Sequence, residues 1–495
     1  MTLSPESSAL PAAEPVSSYS LRPTLGRVMV AWGFGAVWMY ITTGATLTQY
    51  AKLLGVTPFG FGLLAALPFL GALTQLPSSF LMERYGWRKP IFLWANLIHR
   101  FLWIAIGAVP WILPQTWWWA GLIGLMLLSS MLGHAASPAW ISWMADLIPP
   151  RLRARYFSRR VQFGQSVGLV VTILMGLLLD WWQGKGTEWL RTGISLSLIL
   201  GGLSGIADIV FFFKVPDPRD RVSRPGMGLR DLVRRPLADR NFRLFLGYTA
   251  TMTFATGFVG QFIWLFILDV AKMSNTRANL LLITIPLTMA IICYPIWGRV
   301  VDRFGSKPAL MLAGLLVVNG ASSWILVQGK YWYYGYLAVL VSTVAWPAMD
   351  LASFNLLLRT SDSRGAVRAG SATAAISSLV SAIAGTLSGL FGGTVAHFMG
   401  DWHRTFFGLN FTFHCVLFVI SAVLRLAALG WLLGLRETHN YAARDALRYV
   451  KADVFSNLQA AFYFPMRQFG RLSTLSFRLR FPTWQDRQRQ RKRKP

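Results

Sequence analysis

Long apolar stretches recur along this chain, and charged residues cluster in the short segments between them. A helix rises 1.5 Å per residue, so about 20 apolar residues cross the roughly 30 Å hydrocarbon core of a bilayer. The pattern therefore predicts an all-α polytopic membrane protein. We place twelve transmembrane helices, or spans, at residues 28–49, 58–81, 90–112, 117–143, 161–181, 192–213, 244–268, 278–298, 309–327, 333–357, 370–395 and 405–434.

A charged motif is repeated in the two halves of the chain. An acidic residue, an arginine, an aromatic residue and a glycine follow spans 2 and 8 in the same order, as Glu83, Arg84, Tyr85 and Gly86 and as Asp302, Arg303, Phe304 and Gly305. Repeats of this kind are typical of transporters built from two related halves. We expect two pseudo-symmetric six-helix bundles at residues 28–213 and 244–435, joined by a cytoplasmic linker at residues 214–243.

Composition agrees with a membrane protein and predicts its orientation. Hydrophobic residues make up 54% of the chain and charged residues only 14%, whereas a soluble domain carries about 25% charged residues. Lysine and arginine concentrate after the even-numbered spans and at the two ends of the chain, so both termini are predicted to be cytoplasmic. The net charge of +28 is then mainly a topology signal, and no nucleic acid partner is expected.

The two ends of the chain are predicted to lie outside the bundles. Residues 1–27 lack the pattern of a cleavable signal and are expected to form a disordered cytoplasmic lead. Residues 436–495 are predicted to form a basic cytoplasmic tail with an amphipathic helix, attracted to anionic lipid headgroups of the plasma (inner) membrane. The two cysteines, Cys293 and Cys415, lie in apolar runs and are read as core side chains.

The hairpin after span 8, residues 298–307, resembles the loop signature G-x-x-x-D-R-x-G-R-K of the major facilitator superfamily. It carries Ser306 where arginine is usual, and the first copy has Ser79 in place of the leading glycine. Residues 137–160 also look like the exit of span 4 in a bacterial subgroup of that superfamily. The resemblance covers spans 1–12 and implies a central cavity lined by spans 1, 4, 7 and 10, with no substrate assigned.

The repeated hairpins have the chemistry of a conformational gate. A short turn between antiparallel helices needs a glycine, and an acid at a helix end can pair with an arginine or with a neighbouring helix N-terminus. The predicted cytoplasmic gate consists of Glu83, Arg84, Gly86, Asp146, Arg155, Asp302, Arg303, Gly305 and Arg364. The alternative is that such residues only orient the loops, and for the arginines of residues 151–160 both interpretations stay open.

Polar side chains recur at helical spacing on the four spans that the resemblance places around the cavity. Transporter sites are built from polar groups near the middle of the membrane. The predicted substrate-cavity residues are Thr42, Thr46, Gln49, His134, Ser137, Gln261, Trp264, Trp346 and Asp350.

Three ionisable residues are candidates for proton or charge coupling. Asp350 lies so deep in span 10 that an unpaired charge would cost several kcal/mol, so it couples a proton or cation, or pairs with an arginine. His134 could bind substrate or relay a proton, or simply hydrogen-bond to another helix. Arg100, deep in span 3, should pair with an acid or bind an anionic group. Asp208 and Arg425 lie closer to the cytoplasm and are expected to snorkel or pair there.

These features predict a secondary active transporter, a symporter or antiporter, that moves a small-molecule solute by alternating access, with or without proton coupling. The chain has no phosphate-binding loop, nucleophile constellation or His-rich metal pattern, so no enzyme activity, cofactor or metal is expected. The alternative is a non-transporting protein of the same fold, acting as an assembly factor, a pigment or lipid carrier, or a subunit of a membrane complex with an unknown protein partner. Polar faces lining one water-filled cavity would favour the transporter.

Overall fold

The structure is a computed structural model that describes residues 18–217, 236–328, 331, 333–362, 367–400, 402–406 and 409–435. Twelve helices within these residues are long and apolar enough to cross a membrane, as the hydrophobic pattern predicts. The first 17 residues of the predicted lead, most of the predicted linker and the predicted basic tail with its amphipathic helix lie outside the described residues.

Spans 1–6 form the N-terminal half. Span 1 is the helix Ser18–Ile41, and a separate short helix, Ala45–Leu53, follows it. The other helices of this half are Pro58–Ala72 and Gln75–Tyr85 in span 2, Arg88–Ile112 in span 3, the 3-10 turn Gln115–Trp117 with Trp118–Leu147 in span 4, Pro150–Lys185 in span 5 and Thr187–Phe213 in span 6.

Spans 7–12 form the C-terminal half, and spans 7 and 8 each contain a wider π-helical turn. The helices of this half are Arg240–Leu265 with the π turn Phe266–Val270 in span 7, Asn275–Asn279, the π turn Leu280–Thr284 and Ile285–Phe304 in span 8, Ser306–Ser323 with the 3-10 turn Trp324–Leu326 in span 9, Tyr334–Asp362 in span 10, Val367–Met399 in span 11 and Phe413–Leu433 in span 12.

Proline and glycine place helix ends that the apolar pattern alone does not locate. Pro149 and Pro150 separate spans 4 and 5, because a proline fits the first turn of a helix but not its interior. Residues 151–160 therefore belong to the helix of span 5. Gly44, with φ 69° and ψ −141°, breaks the single helix predicted for span 1.

Other helix starts differ from the prediction as well. Span 1 begins at Ser18, so residues 18–27 are helical and not part of a disordered lead. Span 7 begins at Arg240, because the Asp239 carboxylate caps it by accepting from the N–H of Asn241 at 2.8 Å.

The predicted start of span 12 at residue 405 is wrong. The strands His403–Phe406 and Leu409–Thr412 form an antiparallel hairpin in which His403 pairs with Thr412, and the helix begins at Phe413. Aromatic and β-branched residues in this segment favour an extended backbone. This β-hairpin lies in the connection between spans 11 and 12 and is distinct from the charged helical hairpins that follow spans 2 and 8.

Buried hydrophobic residues in the described part of the chain form three clusters. Spans 2, 4, 6, 8 and 10 finish at the end of the molecule that carries the charged helical hairpins, and we call this end the hairpin end. The opposite end is called the far end. The far-end cluster contains residues of both halves, such as Leu64 and Phe262. At the hairpin end, one cluster around Trp143 belongs to the N-terminal half and another around Trp297 to the C-terminal half. The halves thus share a core at one end only.

Candidate functional site

The first hairpin turns at Gly86, whose φ of 68° is one that glycine adopts without strain. Just beyond the turn, Arg88 pairs with Asp146 at the end of span 4 and with Asp217 after span 6. Its Nη2 lies 2.6 Å from Asp217 Oδ1. The cluster ties three spans of one half together and includes Asp146, a predicted gate residue.

A lysine after each hairpin makes the same contact in both halves. Lys89 Nζ donates to the backbone carbonyl of Val215, just after span 6, at 2.8 Å. Lys307 Nζ donates to the carbonyl of Leu435, just after span 12, also at 2.8 Å. The last carbonyls of a helix lack partners within the helix, so a cation there is favourable. The matching geometry follows from the duplication of a six-helix unit.

Two other predicted gate residues, Arg84 and Arg155, do not join the Arg88 cluster among the described residues. Arg84 is exposed, and its guanidinium carbon lies 5.6 Å from the ring centroid of Tyr85. Arg155 is exposed on the helix of span 5. The side chain of Glu83 and the whole of Arg364 lie outside the described part of the chain.

The second hairpin turns at Gly305, which has φ 92°. Asp302 and Arg303 precede it and are exposed, with the guanidinium carbon of Arg303 5.6 Å from the ring centroid of Phe304. The acid and the arginine of this copy therefore lie at the surface of the hairpin end.

The two halves meet at the far end, where Asp180 of span 5 caps the first turn of span 8. Its carboxylate accepts from the backbone N–H groups of Asn275 at 2.7 Å and Thr276 at 3.1 Å. It also accepts from Asn275 Nδ2 at 3.0 Å and from the Thr276 hydroxyl at 2.6 Å. A carboxylate at a helix N-terminus satisfies N–H groups and complements the helix dipole. Four hydrogen bonds to one carboxylate thus connect the halves.

The short helix after span 1 joins this contact. Gln49 Nε2 donates to Asn275 Oδ1 at 2.8 Å, and Asn279 Oδ1 accepts from the N–H of Ala45 at 3.2 Å. Thr46, on the same helix, is fully buried. Two predicted cavity residues, Gln49 and Thr46, are therefore placed at the far-end contact between the halves.

Two more predicted cavity residues lie beside the break in span 1. The hydroxyl of Thr42 donates to the carbonyl of Trp38 at 3.0 Å, within its own helix. Trp264 of span 7 packs on Gly44, where a Cβ would lie 3.2 Å from its ring. The break at Gly44 therefore lets span 7 approach span 1 closely.

Spans 2 and 11 also cross closely in the far-end half of the molecule. The backbones of Gly62 and Gly393 are in contact, and a Cβ on Gly389 would lie 2.6 Å from the carbonyl oxygen of Gly62. Small residues permit such an approach between helices. The second helix of span 2, Gln75–Tyr85, packs on span 4 instead. The first helix of span 2 is thus the part of this span that packs against the C-terminal half.

The polar side chains of span 4, Ser130, His134 and Ser137, have two different surroundings, span 2 and a cavity. His134 Nδ1 lies 3.1 Å from Gln75 Nε2, and the Ser130 hydroxyl donates to the carbonyl of Leu67 at 3.0 Å, so both join span 4 to span 2. His134 is therefore engaged in helix–helix hydrogen bonding, the second of its sequence interpretations. Ser137 faces a cavity inside the N-terminal half.

Asp350 and Trp346 lie one turn apart on span 10, and both are exposed. The Tyr294 hydroxyl of span 8 donates to Asp350 Oδ2 at 3.0 Å. Among the described residues Asp350 makes no ion pair, so an arginine partner, which was the alternative to coupling, is not found there. Gln261 is half-buried on span 7. An exposed carboxylate on a spanning helix needs water or a hydrogen-bond donor, and Tyr294 supplies one.

A cavity of about 190 Å³ lies inside the N-terminal half, between spans 1, 3, 4, 5 and 6. Arg100 lines it and is only 7% exposed. Its Nη2 lies 3.4 Å from Asp208 Oδ2, and its guanidinium carbon 3.3 Å from the ring centroid of Trp38. Arg100 thus pairs with an acid, which is one of the two alternatives that the sequence predicts for it. Its Nε and Nη1 remain without a hydrogen-bond partner among the described residues.

A second arginine lines the same cavity from span 5. The guanidinium carbon of Arg160 lies 3.9 Å from the ring centroid of Trp32 and 4.6 Å from that of Trp140. Its Nε has no hydrogen-bond partner within the described residues. Arginine stacks on aromatic faces in this way because the ring quadrupole attracts a cation.

Sequence reasoning missed three of the charged residues that matter in these contacts. Asp208 was expected to snorkel or pair near the cytoplasm, but it is 5% exposed and faces Arg100. The only signal in the sequence for this pair is that Arg100 and Asp208 both fall in apolar runs of the same half. Arg160 was assigned to a loop, and for Asp180 nothing in the sequence indicates which helix it caps.

Metal ligands do not cluster in the part of the chain that the structure describes. No group of three or more His, Cys, Asp or Glu side chains is placed there to hold a metal ion. Cys293 and Cys415 are free and buried.

Comparison with known proteins gives a family and a fold. The family model of the Major Facilitator Superfamily matches residues 25–387, which confirms the resemblance of the hairpin motifs. None of the curated proteins searched matches the chain.

Similar folds occur among solved transporter structures. The nucleoside transporter NupG is 11% identical with a TM-score of 0.60, covering 83% of this chain and 98% of its own. The xylose transporter XylE from E. coli is 14% identical with a TM-score of 0.58, covering 85% and 100%. A D-xylose-proton symporter is 16% identical with a TM-score of 0.59, covering 86% and 99%. The TM-scores show a common fold. Because the family model matches most of its length, the chain belongs to the Major Facilitator Superfamily.

Proposed function

We propose that the chain is a secondary active transporter that moves a small solute by alternating access between its two six-helix halves. The observation that carries this proposal is the distribution of buried core, with one cluster common to both halves at the far end and a separate cluster in each half at the hairpin end. Packed cores and interfaces switch between discrete arrangements and do not deform continuously. Halves that keep their own cores at one end can therefore rock about the other.

The described conformation is closed at the far end. Asp180 and the short helix after span 1 hold span 8, and the glycines of spans 2 and 11 are in contact there. At the hairpin end the Arg88 cluster holds spans within one half. Solute would enter between the halves from the hairpin end in this state, and the opposite state would require the far-end contacts to open.

We place the hairpin end on the cytoplasmic side of the plasma membrane. The loops at this end, together with the two ends of the chain, carry most of the lysine and arginine, which is the distribution that the positive-inside rule associates with the cytoplasmic side. The exposed hairpins with Asp302, Arg303 and Arg84 then form the cytoplasmic gate together with Asp146. They would meet across the halves when that end closes, exchanging partners at a modest cost typical of exposed charges.

Asp350 is the residue to which we assign coupling. It is an exposed carboxylate on a spanning helix, and a charge facing lipid there would cost several kcal/mol, so we place it toward water between the halves. Its hydrogen bond from Tyr294 would weaken, or reverse direction, when the carboxyl gains a proton. Proton binding could thus be linked to the relation between spans 8 and 10. The proton-coupled xylose symporter of the same fold makes a proton a reasonable coupling ion.

Flux measurements test this function. Purified protein in proteoliposomes is assayed with a panel of nucleosides, sugars and small organic anions, with and without a pH gradient across the membrane. We expect saturable flux of at least one solute, accelerated by the gradient in the native protein and insensitive to it in Asp350→Asn. Flux by Asp350→Asn that still follows the gradient would remove Asp350 from the coupling mechanism, and no flux of any solute under any gradient would contradict transport.

A further inference from the structure

We propose that the cavity inside the N-terminal half is a binding site for a small oxyanion, a carboxylate or a phosphate, held by Arg100 and Arg160. This site is separate from the coupling residue Asp350, which lies in the other half. The inference rests on hydrogen-bond donors, on the aromatic walls around them and on the charge of the lining.

Buried guanidinium nitrogens that lack an acceptor in the part of the chain that the structure describes are the first observation behind this site. Arg100 is 7% exposed and lines the cavity, yet its Nε and Nη1 have no partner among the described residues. A guanidinium carries five N–H groups and cannot lose its charge, so buried donors of this kind call for an acceptor. Its contact with the Asp208 carboxylate is long at 3.4 Å. Arg160 adds an Nε that also has no partner in the described part of the chain.

Aromatic rings pack on both guanidinium groups. Trp38 covers the face of the Arg100 guanidinium at 3.3 Å, and Trp32 and Trp140 lie within 4.6 Å of the Arg160 guanidinium. A guanidinium that stacks on a ring uses the faces of its plane, so the contact does not engage the N–H groups, which lie in that plane. A guanidinium binds carboxylate or phosphate oxygens in pairs through Nε with Nη2 or through Nη1 with Nη2, so a paired ligand on Arg100 also meets Nη2, which contacts Asp208.

Charge and size define the ligand class. The lining holds two guanidinium groups and one carboxylate, Asp208, so an added anion balances the cavity. A volume of about 190 Å³ is below the range of drug-sized pockets and suits a phosphate or a short organic acid. Asp208 competes with that ligand, because its Oδ2 occupies the side of Arg100 that carries Nη2.

The competition gives a test in which two substitutions act in opposite directions. Full-length protein in nanodiscs of neutral lipid is titrated with radiolabelled phosphate and with radiolabelled succinate, and bound label is counted by scintillation proximity. We expect saturable binding of one or both. Arg160→Gln should weaken it about tenfold or more, because a charged donor is lost. Asp208→Asn should tighten it by about fivefold, because the competing charge is removed.

A matched control is available in the other half. Arg425 is also a buried arginine on a spanning helix, 6% exposed, and donates to the carbonyl of Val317 at 3.0 Å, but it does not line this cavity. Arg425→Gln should leave oxyanion affinity unchanged. Arg160→Lys, which keeps the charge, should recover part of the affinity that Arg160→Gln loses.

The source of the oxyanion is decided by a second set of nanodiscs that contain phosphatidylglycerol. A soluble ligand binds equally in both lipids, whereas a lipid headgroup would block phosphate and succinate and would be lost from Arg160→Gln in native mass spectrometry. Either result supports the site. The proposal is overturned if phosphate, succinate and phosphatidylglycerol all fail to bind, if Arg160→Gln binds as well as the native protein, or if Asp208→Asn binds more weakly. None of these outcomes bears on gradient-driven flux.

Discussion

Asp180→Asn should open the far end of the molecule. The native carboxylate accepts four hydrogen bonds from Asn275 and Thr276, two on each oxygen. An amide has one accepting oxygen, and its NH₂ group would face the N–H and hydroxyl donors of Thr276. The substitution therefore removes two hydrogen bonds and the negative charge at the start of span 8, while changing the side-chain volume very little.

The size of the effect follows from these contacts. Each hydrogen bond to a charged group contributes about 1.5 kcal/mol, and a charge near a helix N-terminus contributes about 0.3–1 kcal/mol. Allowing for the water that replaces these partners in the open state, the closed state should lose about 2–3 kcal/mol. At 1.4 kcal/mol per factor of ten, the ratio of open to closed molecules rises roughly 30- to 150-fold.

A single cysteine reports this ratio. Cys293 and Cys415 are first replaced by alanine, and Thr46→Cys places a thiol at a fully buried position on the helix that contacts span 8. Its hydroxyl has no hydrogen-bond partner in the described residues, so the replacement costs little. The rate of maleimide labelling follows the open population when opening is fast relative to labelling. It should rise with that population in Asp180→Asn.

Asp269→Asn is the matched control. Asp269 also pairs across the halves at the far end, with Lys52, but both side chains are substantially exposed, at 43% and 33%. Exposed pairs contribute about 0–1 kcal/mol, so labelling should change less than about fivefold. Equal labelling rates in Asp180→Asn and the native protein, or equal increases in both variants, would refute the role given to Asp180.

Three further predictions concern the helix crossing, the coupling pair and the N-terminal cluster. Gly389→Ala should favour the far-end-open state in the same labelling assay, because its Cβ would meet backbone atoms at 2.6 Å, whereas Gly430→Ala, with nothing within 4 Å, should not. Tyr294→Phe should shift the pH dependence of flux without abolishing flux, because it removes the donor to Asp350 and leaves the carboxyl in place. Arg88→Gln should lower the melting temperature in detergent by several degrees, since it leaves two carboxylates without their cation, and an unchanged value would show that the cluster adds no stability.

The fold was accessible from the sequence because its signals are local. Span length follows from runs of apolar residues, and the hairpin turns follow from Gly86 and Gly305, which take the positive φ that their position suggests. The duplicated order of acid, arginine and glycine identified two related halves. Errors arose where local signals compete, as at His403–Phe406 and Leu409–Thr412, where β-branched and aromatic residues form strands although the segment is apolar enough for a span.

The sites were less accessible because they depend on which helix faces which. Gln49, placed in the cavity by helical spacing, contacts Asn275, more than 200 positions away in the chain. Arg100 and Asp208 meet because spans 3 and 6 are adjacent, and no spacing within either span predicts that. A single sequence locates charged residues in the membrane but does not pair them.

The most direct test of alternating access measures both ends of the molecule in one experiment. Spin labels at Thr116 and Arg404, exposed at the far end of the two halves, and at Tyr85 and Leu433, exposed at the hairpin end, give two distances by double electron–electron resonance. Our account predicts that Asp180→Asn lengthens the far-end distance and shortens the hairpin-end distance together. A far-end change with the hairpin end fixed, or parallel changes at both ends, would contradict two halves that rock as rigid units.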